Sequence, residues 1–225
     1  MRIRRGWRRP VWSFWDCEMR RIALIPMKNL ELGKTRLSKV LSPTKRRRIV
    51  LSMLSNVIKA CKGAGLECVV LSSDRRVLAI CRRRKCKTMI ERAESLNESV
   101  EEAVRQLGPD AETRISIVFS DLPLLSSSDI STIMRVLDHC DVVISPDLHL
   151  LGTNIIALKG VFDGLRFMYG RESFNAHLHA FNSRGKTIKT YISLGTALDI
   201  DTPGDIHLLE KILGKSRAWS LLSAY

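Results

Sequence analysis

Short apolar runs alternate along the chain with longer stretches in which apolar positions recur at helical spacing. The runs predict β-strands, and the periodic stretches predict amphipathic helices. The predicted strands are Ile22–Pro26, Cys68–Ser72, Thr88–Ile90, Arg114–Ser120, Val142–Ser145, Asn154–Leu158 and Lys186–Ile192. The predicted helices are one that begins at Ser42-Pro43 and ends at Gly63, then Arg75–Arg84, Asn97–Leu107, Ser128–Leu137, Ser173–Phe181 and Pro203–Leu213.

This alternation predicts an α/β fold, Rossmann-like, with a mainly parallel sheet and helices on both faces. The run Arg114–Ser120 is apolar almost throughout, as expected for a strand that is buried on both faces. The late strands follow one another closely, so we expect the sheet to be mixed. Pro203–Leu213 is predicted to be the last helix.

Composition narrows the class of protein. With 225 residues, 45% hydrophobic and 27% charged, the chain has the size and balance of one soluble domain, which excludes a disordered chain or a coiled-coil rod. No run approaches the ~18 apolar residues that a membrane helix needs, so we expect no membrane span. Six cysteines without zinc-site spacing indicate reduced thiols and a cytoplasmic protein.

Residues 1–18 differ from the rest of the chain, because they carry five arginines and three of the four tryptophans. We predict a single domain over 19–225, with 1–18 as an extension outside it. An upstream start codon before Met19, a basic RNA-binding arm and a packed extension are all compatible with this composition.

The net charge of +14 predicts an anionic partner without identifying it. A nucleotide, a nucleic acid and a membrane surface are all compatible with charge alone. The arginine and lysine runs at 45–48 and 82–87 favour nucleic acid, but aromatic residues are not interleaved with them, as stacking on single strands would require. Nucleic acid is therefore the less favoured partner.

Three carboxylates stand where a ligand is expected. Asp121 follows the most apolar predicted strand, at the edge where open α/β sheets bind ligands. Asp199 and Asp201 flank Ile200, and in an extended segment residues two apart share one face. Carboxylate oxygens are the ligands that Mg²⁺ prefers. The alternative is that Asp121 and Asp201 only serve a turn and a helix start.

The loop after the first strand, Pro26–Leu37, carries three cations: Lys28, Lys34 and Arg36. A loop of this charge suits a polyphosphate, although it lacks the spacing of a Walker loop. The alternative is an ordinary solvated loop.

A third segment pairs Gly152-Thr153-Asn154 with Gly170 and the helix at Ser173. Ser173 could cap that helix while the free N–H groups receive a carboxylate or phosphate. The alternative is an ordinary capped helix without a ligand. His177 lies on the apolar face of the same helix, where it is either a core residue or part of a site.

These segments resemble the 2-phospho-L-lactate guanylyltransferase family of coenzyme F(420) biosynthesis in archaea. The resemblance covers residues 19 to about 215. Its motifs occur in order: IPMKNLELGKTRLS, Ser73-Asp74, Leu96-Asn97, Ser120-Asp121-Leu122-Pro123, Gly152-Thr153-Asn154, Ser173-Phe174 with His177, and Asp199-Ile200-Asp201-Thr202-Pro203.

The resemblance implies a nucleotide-diphospho-sugar transferase fold of the glycosyltransferase-A type, with GTP, Mg²⁺ and a small phosphorylated carboxylic acid. A cytoplasmic homodimer is expected. The implied metal ligands are Asp121, Asp199 and Asp201. The implied nucleotide contacts are Pro26, Lys28, Lys34, Arg36, Asp74 and Asn97. The implied substrate contacts are Thr153, Asn154, Gly170, Ser173 and His177. The implied catalytic residues are Asp121, Lys28, Lys34 and Arg36.

One departure from the family lies before Leu96-Asn97, where the chain has Ala93-Glu94-Ser95 and relatives often have a glycine. This departure concerns the guanine contacts. Another nucleotidyltransferase of the same fold, such as a molybdopterin guanylyltransferase or a sugar-phosphate enzyme, is the main alternative activity. A basic RNA-binding protein is the second.

Overall fold

A computed structural model describes residues 19–30, 34–160, 164 and 166–225. The predicted extension at 1–18 lies outside the described residues, and so does Gly33 of the first loop.

Within the described part, seven strands form one sheet in the order β3-β2-β1-β4-β6-β5-β7. They are β1 Arg21–Pro26, β2 Glu67–Ser72, β3 Lys87–Ile90, β4 Arg114–Val118, β5 Val142–Pro146, β6 Thr153–Lys159 and β7 Ile188–Thr190. Strand β6 pairs antiparallel with β4 and β5, and the other pairings are parallel. The predicted mixed, mainly parallel sheet is confirmed.

The helices are α1 Pro43–Gly63, α2 Arg75–Arg83, α3 Leu96–Leu107, α4 Ser127–Leu137, α5 Ser173–Asn182, α6 Leu194–Ala197, α7 Pro203–Leu213 and α8 Lys215–Leu222. Helix α1 begins as its sequence predicts, since the Ser42 hydroxyl accepts a hydrogen bond from the Lys45 N–H and Pro43 occupies the first turn.

Helices cover both faces of the sheet, because the strands are apolar on both sides. On β1, Ala23 and Ile25 join the core under α1, α2, α4, α7 and α8, whereas Ile22 and Leu24 join the core under α3 and α5. Alternate residues of a strand point to opposite faces, so one continuous apolar run supplies both cores.

Several elements differ from the sequence prediction. Among them, the short helix α6 was not predicted, and β4 ends at Val118 instead of Ser120. The strand expected over Lys186–Ile192 is only Ile188–Thr190, an edge strand with exposed residues that pairs with β5 alone. Helix α8 follows the predicted last helix; Gly214 breaks the periodicity before it, and the Trp219 indole donates to Glu210. The first loop contains a short 3-10 helix, Thr35–Lys39, anchored by the buried Leu37.

Strand direction explains where a site can form. The parallel strands β1, β2, β4 and β5 all end at one edge of the sheet. Strand β6 runs the opposite way, so it begins at that edge, with Ile155 opposite Val118 of β4. Thr153 at the start of β6 therefore lies at the same edge as Asp121, which follows β4.

Candidate active site

The structure brings Asp121, Asp199 and Asp201 together: one carboxylate oxygen from each lies within 4.8 Å of the others. Ile200, between the two later aspartates, is fully buried, and its N–H donates to the Asp121 backbone carbonyl at 3.2 Å. This bond joins the loop after β4 to the segment before α7. The alternation of side chains expected over 199–201 is therefore present.

These carboxylates have the donor set of a site for a hard divalent cation. The Asp121 Oδ1 atom is buried and has no hydrogen-bond partner among the described residues. A buried carboxylate oxygen without a donor is costly, and a cation would compensate it. Oxygen ligands of this kind suit Mg²⁺.

Lys34 holds the positive charge nearest to this cluster. Its ammonium lies 2.5 Å from Asp121 Oδ2 and also contacts Asp201. Its backbone is left-handed, with φ 55°, a conformation that costs a non-glycine residue about 1–3 kcal/mol and that is found at functional sites. Burial works against the charge of Lys34, but the two carboxylates outweigh burial and raise its pKa.

Asp199 lies beside the negative charges of the other two carboxylates. Burial, followed by the negative charges of Asp121 and Asp201, raises the pKa of Asp199 to about 6. Three crowded carboxylates repel one another unless cations lie among them.

Asp129 holds the two aspartate segments in place, and sequence reasoning missed it. Its carboxylate accepts hydrogen bonds from the N–H and hydroxyl of Ser126, and from the Tyr191 and Ser193 hydroxyls, at 2.5–3.0 Å. Burial raises the pKa of Asp129, but hydrogen bonds from Ser126 and Ser193 outweigh burial and lower it. Gly195 packs so closely that a Cβ there would lie 2.6 Å from the carboxylate. The Ser126-x-x-Asp129 spacing of a capping box was the available signal.

Two further supports were also missed. The Asn56 amide, on α1, donates to the Pro123 and Leu125 carbonyls at 2.9 and 3.0 Å, which holds the turn after Asp121. The Asp205 carboxylate accepts from the Asp201 and Thr202 N–H groups at 2.9 and 2.6 Å, which orients the backbone of a cluster member.

The three cations of the first loop have different environments. Lys34 is directed into the carboxylate cluster, whereas Lys28 and Arg36 are exposed to solvent. Pro26 is the buried end of β1. Asp74 caps α2 through the Arg76 N–H.

Asp74 also accepts from the Leu30 N–H at 3.3 Å, so it ties the first loop to α2. Burial raises the pKa of Asp74, but its bonds with Arg76 and Leu30 outweigh burial and lower it. A nucleotide contact for Asp74 stays a prediction.

Thr153, Ser173 and His177 form one buried hydrogen-bonded group. Thr153 Oγ1 lies 3.1 Å from His177 Nδ1 and 3.3 Å from Ser173 Oγ. The predicted capping role of Ser173 is wrong. The cap residue is Glu172, which has a left-handed backbone and no side-chain cap bond, while the Ser173 hydroxyl is directed to Thr153.

Asn154 and Asn97 are both engaged with backbone. The buried Asn154 amide donates to the Thr196 and Ala197 carbonyls at 3.0 and 3.2 Å, which links β6 to α6. The Asn97 side chain exchanges two hydrogen bonds with the Tyr169 backbone, at 2.7 and 3.1 Å, next to the exposed Gly170. Substrate or nucleotide contacts of these residues stay predictions.

Tyr169 was not singled out from the sequence. Its hydroxyl is buried and has no hydrogen-bond partner within the described ranges. Its ring packs on Phe119 and His177, with centroids 5.0 and 4.8 Å apart. Tyr169 lies outside the helices and strands, in the segment between β6 and α5, so no hydrophobic periodicity in the sequence could have identified it.

Solved structures with this architecture define the class. A protein from Desulfovibrio desulfuricans G20, provisionally named a nucleotide-diphospho-sugar transferase, superposes with a TM-score of 0.74 at 18% identity, over 89% of this chain and 93% of that one. A CMP:2-keto-3-deoxy-manno-octonic acid synthetase complexed with CTP superposes with a TM-score of 0.55 at 15% identity, over 88% and 99%. The fold is that of the nucleotide-diphospho-sugar transferase type of nucleotidyltransferases.

Sequence comparison narrows the class to one family. The family model described as "Guanylyl transferase CofC like" matches residues 21–218. The chain belongs to this family, and it is a nucleotidyltransferase of the guanylyltransferase kind.

Relatives carry two names. A phosphoenolpyruvate guanylyltransferase from Sphaerobacter thermophilus is 34% identical over 85% of this chain and 93% of its own length. A 2-phospho-L-lactate guanylyltransferase from Methanothermobacter thermautotrophicus is 33% identical over 84% of this chain and 83% of its own length. The family includes bacterial proteins, so the archaeal source expected from the resemblance stays a prediction.

The helices give no sign of a membrane span. Within the residues that the structure describes, none is both long enough and apolar enough to cross a bilayer. The expected homodimer and cytoplasmic location stay predictions.

Proposed function

We propose that this guanylyltransferase transfers GMP from GTP to 2-phospho-L-lactate or a closely related phospho-acid, releasing pyrophosphate, in coenzyme F(420) biosynthesis. The observation that carries the proposal is the group of Asp121, Asp199 and Asp201 with Lys34, placed at the sheet edge where Thr153 begins β6. Carboxylates for a cation and a lysine for phosphate, beside buried hydroxyls, suit two phosphorylated substrates.

Asp121, Asp199 and Asp201 would hold Mg²⁺. When bound there, Mg²⁺ supplies positive charge between two anionic substrates, which otherwise repel each other. Two observations support this assignment: the Asp121 Oδ1 atom has no hydrogen-bond partner among the described residues, and the pKa of Asp199 is raised. Both indicate that the ionised carboxylates lack a compensating positive charge.

The first loop would bind the triphosphate. Lys34 is already near the carboxylates, and Lys28 and Arg36 are exposed in the flanking loop, where they can reach phosphate oxygens. Their charges would stabilise the pyrophosphate as it leaves. Pro26, Asp74 and Asn97 would shape the nucleotide site around these cations.

The phosphorylated acid would bind on the other side, at Thr153, Ser173 and Gly170, with Asn154 and His177 supporting the pocket. Hydroxyl and backbone N–H donors suit the carboxylate and phosphate oxygens of a small acid. Gly170 has φ 147°, a conformation that favours glycine, so the chain can approach a ligand closely there.

The transfer needs no strong base from the protein. A phosphate oxygen of the acid forms a bond to the α-phosphorus of GTP, and the bond from that phosphorus to the pyrophosphate oxygen breaks in line with it. The attacking phosphate is ionised near neutral pH and already nucleophilic. The protein contributes position and charge neutralisation.

A screen of substrates tests the proposal. Pyrophosphate release is measured with GTP, ATP or CTP against 2-phospho-L-lactate, phosphoenolpyruvate and 3-phosphoglycerate, each with Mg²⁺. We expect release with GTP and one of these acids, and a product containing GMP joined to the acid. Release only with ATP or CTP would favour another nucleotidyltransferase activity.

A further inference from the structure

His177 has a hydrogen-bonding arrangement that determines where its proton lies. Its Nε2 atom accepts from the Met168 N–H at 2.9 Å, so Nε2 carries no proton. The ring is fully buried, and burial lowers the pKa of His177 to about 4, so the ring is neutral near pH 7. A neutral imidazole carries one proton, which must then be on Nδ1.

The Nδ1 proton decides the role of the neighbouring Thr153 hydroxyl. Nδ1 lies 3.1 Å from Thr153 Oγ1, and since Nδ1 is the donor, the Thr153 oxygen is the acceptor. The Thr153 proton is therefore not used on the histidine. The Met168 N–H fixes the tautomer of His177, and that tautomer prevents the Thr153 hydroxyl from donating to the imidazole.

One of the two hydroxyl protons of Thr153 and Ser173 has no acceptor in a hydrogen bond that the structure shows among the described residues. The two hydroxyls bring two protons, and one of them lies between the two oxygens, 3.3 Å apart. The other has no acceptor among the hydrogen bonds of the described residues. Both residues are 2% exposed, so this proton is directed neither to bulk water nor to an acceptor in the part of the chain that the structure describes. A buried hydroxyl in this state is a donor for a ligand.

We infer that His177 is a positioning residue: it makes the Thr153–Ser173 hydroxyl pair present a proton, and that proton is donated to an anionic oxygen of the phosphorylated acid. The inference rests on the proposed function and adds how the acid site selects an anion. His177 itself does not touch the substrate, because both of its ring nitrogens are occupied.

Had the imidazole proton been on Nε2, the Nδ1 atom would accept the Thr153 proton instead. The two hydroxyls would then present only oxygen lone pairs to the ligand, and lone pairs repel an anionic oxygen. The Met168 N–H excludes that tautomer, so the segment before Gly170 contributes to selectivity through its backbone alone.

A double-mutant cycle tests the inference. The variants are His177→Phe, which keeps a buried ring between Tyr169 and Phe181, the isosteric Thr153→Val, and both together. Each single change is expected to raise KM for the acid about tenfold or more, because a hydrogen bond to a charged group is lost, with KM for GTP within about twofold. The double variant is expected to be no worse than Thr153→Val alone.

Independent effects would overturn the inference. If the double variant shows the product of the two single effects, or if His177→Phe raises KM for GTP as much as for the acid, His177 does not act through Thr153. His179→Phe, at an exposed position of the same helix, is the matched control and is expected to behave as wild type.

Two further measurements separate the possible failures. If His177→Phe does not fold, His177→Gln replaces it: its amide can both donate to Thr153 and accept from Met168, so KM for the acid should stay near wild type. A tenfold rise with His177→Gln in a folded protein would count against the inference. A wild-type chain that transfers GMP to none of the acids overturns the proposed function, whereas uncoupled variants of an active chain overturn only the role of His177.

Discussion

Some residues at this site are both charged and largely buried, and Lys34 is an example. Its ammonium lies among carboxylates that are also suited to a divalent cation, so a cation bound there would compete with Lys34 for the same oxygens. Bringing Mg²⁺ and a triphosphate together would let Lys34 exchange the carboxylates for phosphate oxygens.

Replacing Lys34 with methionine should therefore have two opposite effects. Turnover should fall by about a hundredfold or more, because charge at the triphosphate is lost. Affinity of the nucleotide-free protein for Mn²⁺, measured by electron paramagnetic resonance, should rise about tenfold, because an ion pair no longer competes. Lys39→Met, at an exposed position of the 3-10 helix that follows Lys34, is the control, and unchanged Mn²⁺ affinity in Lys34→Met would contradict the competition.

Asp121→Asn should abolish measurable pyrophosphate release, a loss of at least about a thousandfold, because the cation loses a charged ligand. The fold should survive, since Lys34, which loses its ion pair with Asp121, keeps its contact with Asp201, and the Asp121 Oδ1 atom has no partner among the described residues. Thermal unfolding checks the fold in the same samples. Near-normal turnover in both Asp121→Asn and Asp199→Asn would refute the metal assignment.

His177 also predicts a pH effect on stability. Its pKa is about 4 when folded and 6.5 in the absence of perturbation, so between these values the unfolded chain binds a proton that the folded chain does not. The free energy of unfolding should therefore fall as pH decreases through this window, by about 2 kcal/mol at pH 5 from this group. Above about pH 6.5 the effect vanishes.

The measurement is the difference in urea unfolding between wild type and His177→Phe at pH 7.5 and pH 5. The difference isolates the histidine, because the raised pKa of Asp199 acts in the opposite direction and is common to both proteins. An equal free-energy difference at the two pH values would show that His177 does not remain neutral in the folded state.

At the scale of elements, the site depends on how α4 is joined to the segment before α6. Asp129 makes that junction, with four donors converging on one carboxylate. Asp121 lies before α4 and the other two aspartates follow α6, so a loose junction would move the three carboxylates apart.

Asp129→Asn should lower the free energy of unfolding by about 1–3 kcal/mol, because the amide nitrogen meets donors where the carboxylate oxygen accepted bonds. Turnover should fall even at temperatures where the variant is fully folded. Urea unfolding and pyrophosphate release measure the two effects. Glu94→Gln, an exposed carboxyl-to-amide change, is the control, and equal behaviour of the two variants would argue against the junction.

At the scale of the whole molecule, the charge of +14 is only partly used at the site. Lys34 is directed at the carboxylates, whereas residues such as Arg47, Arg48 and Arg83 are exposed on α1 and α2. The prediction of an anionic substrate therefore rests on a few cations at one edge of the sheet. The total charge of the chain does not identify that substrate.

The expected domain boundary is also a property of the whole chain. The family match begins at residue 21, and β1 begins at Arg21. We expect a chain starting at Met19 to keep wild-type turnover and a free energy of unfolding within about 0.5 kcal/mol, as for changes outside packed elements. A large loss of either quantity would assign residues 1–18 to the domain.

The sequence by itself determined the order and nearly all the bounds of the strands and longer helices, because periodicity and capping are local properties. It also determined that Asp199 and Asp201 share a face, and that cations follow β1. These inferences need only neighbouring residues, so no knowledge of distant contacts was required.

Only the tertiary structure decided how the segments meet. The reversed direction of β6 brings Thr153 to the edge that holds Asp121, and a carboxylate far along the chain, Asp129, joins two loops. The tautomer of His177 depends on the Met168 N–H, which reaches it through folding and not through spacing. Contacts of this kind are long-range and carry no local period. The three clustered carboxylates could therefore be named from the sequence, but the residues that hold them in place could not.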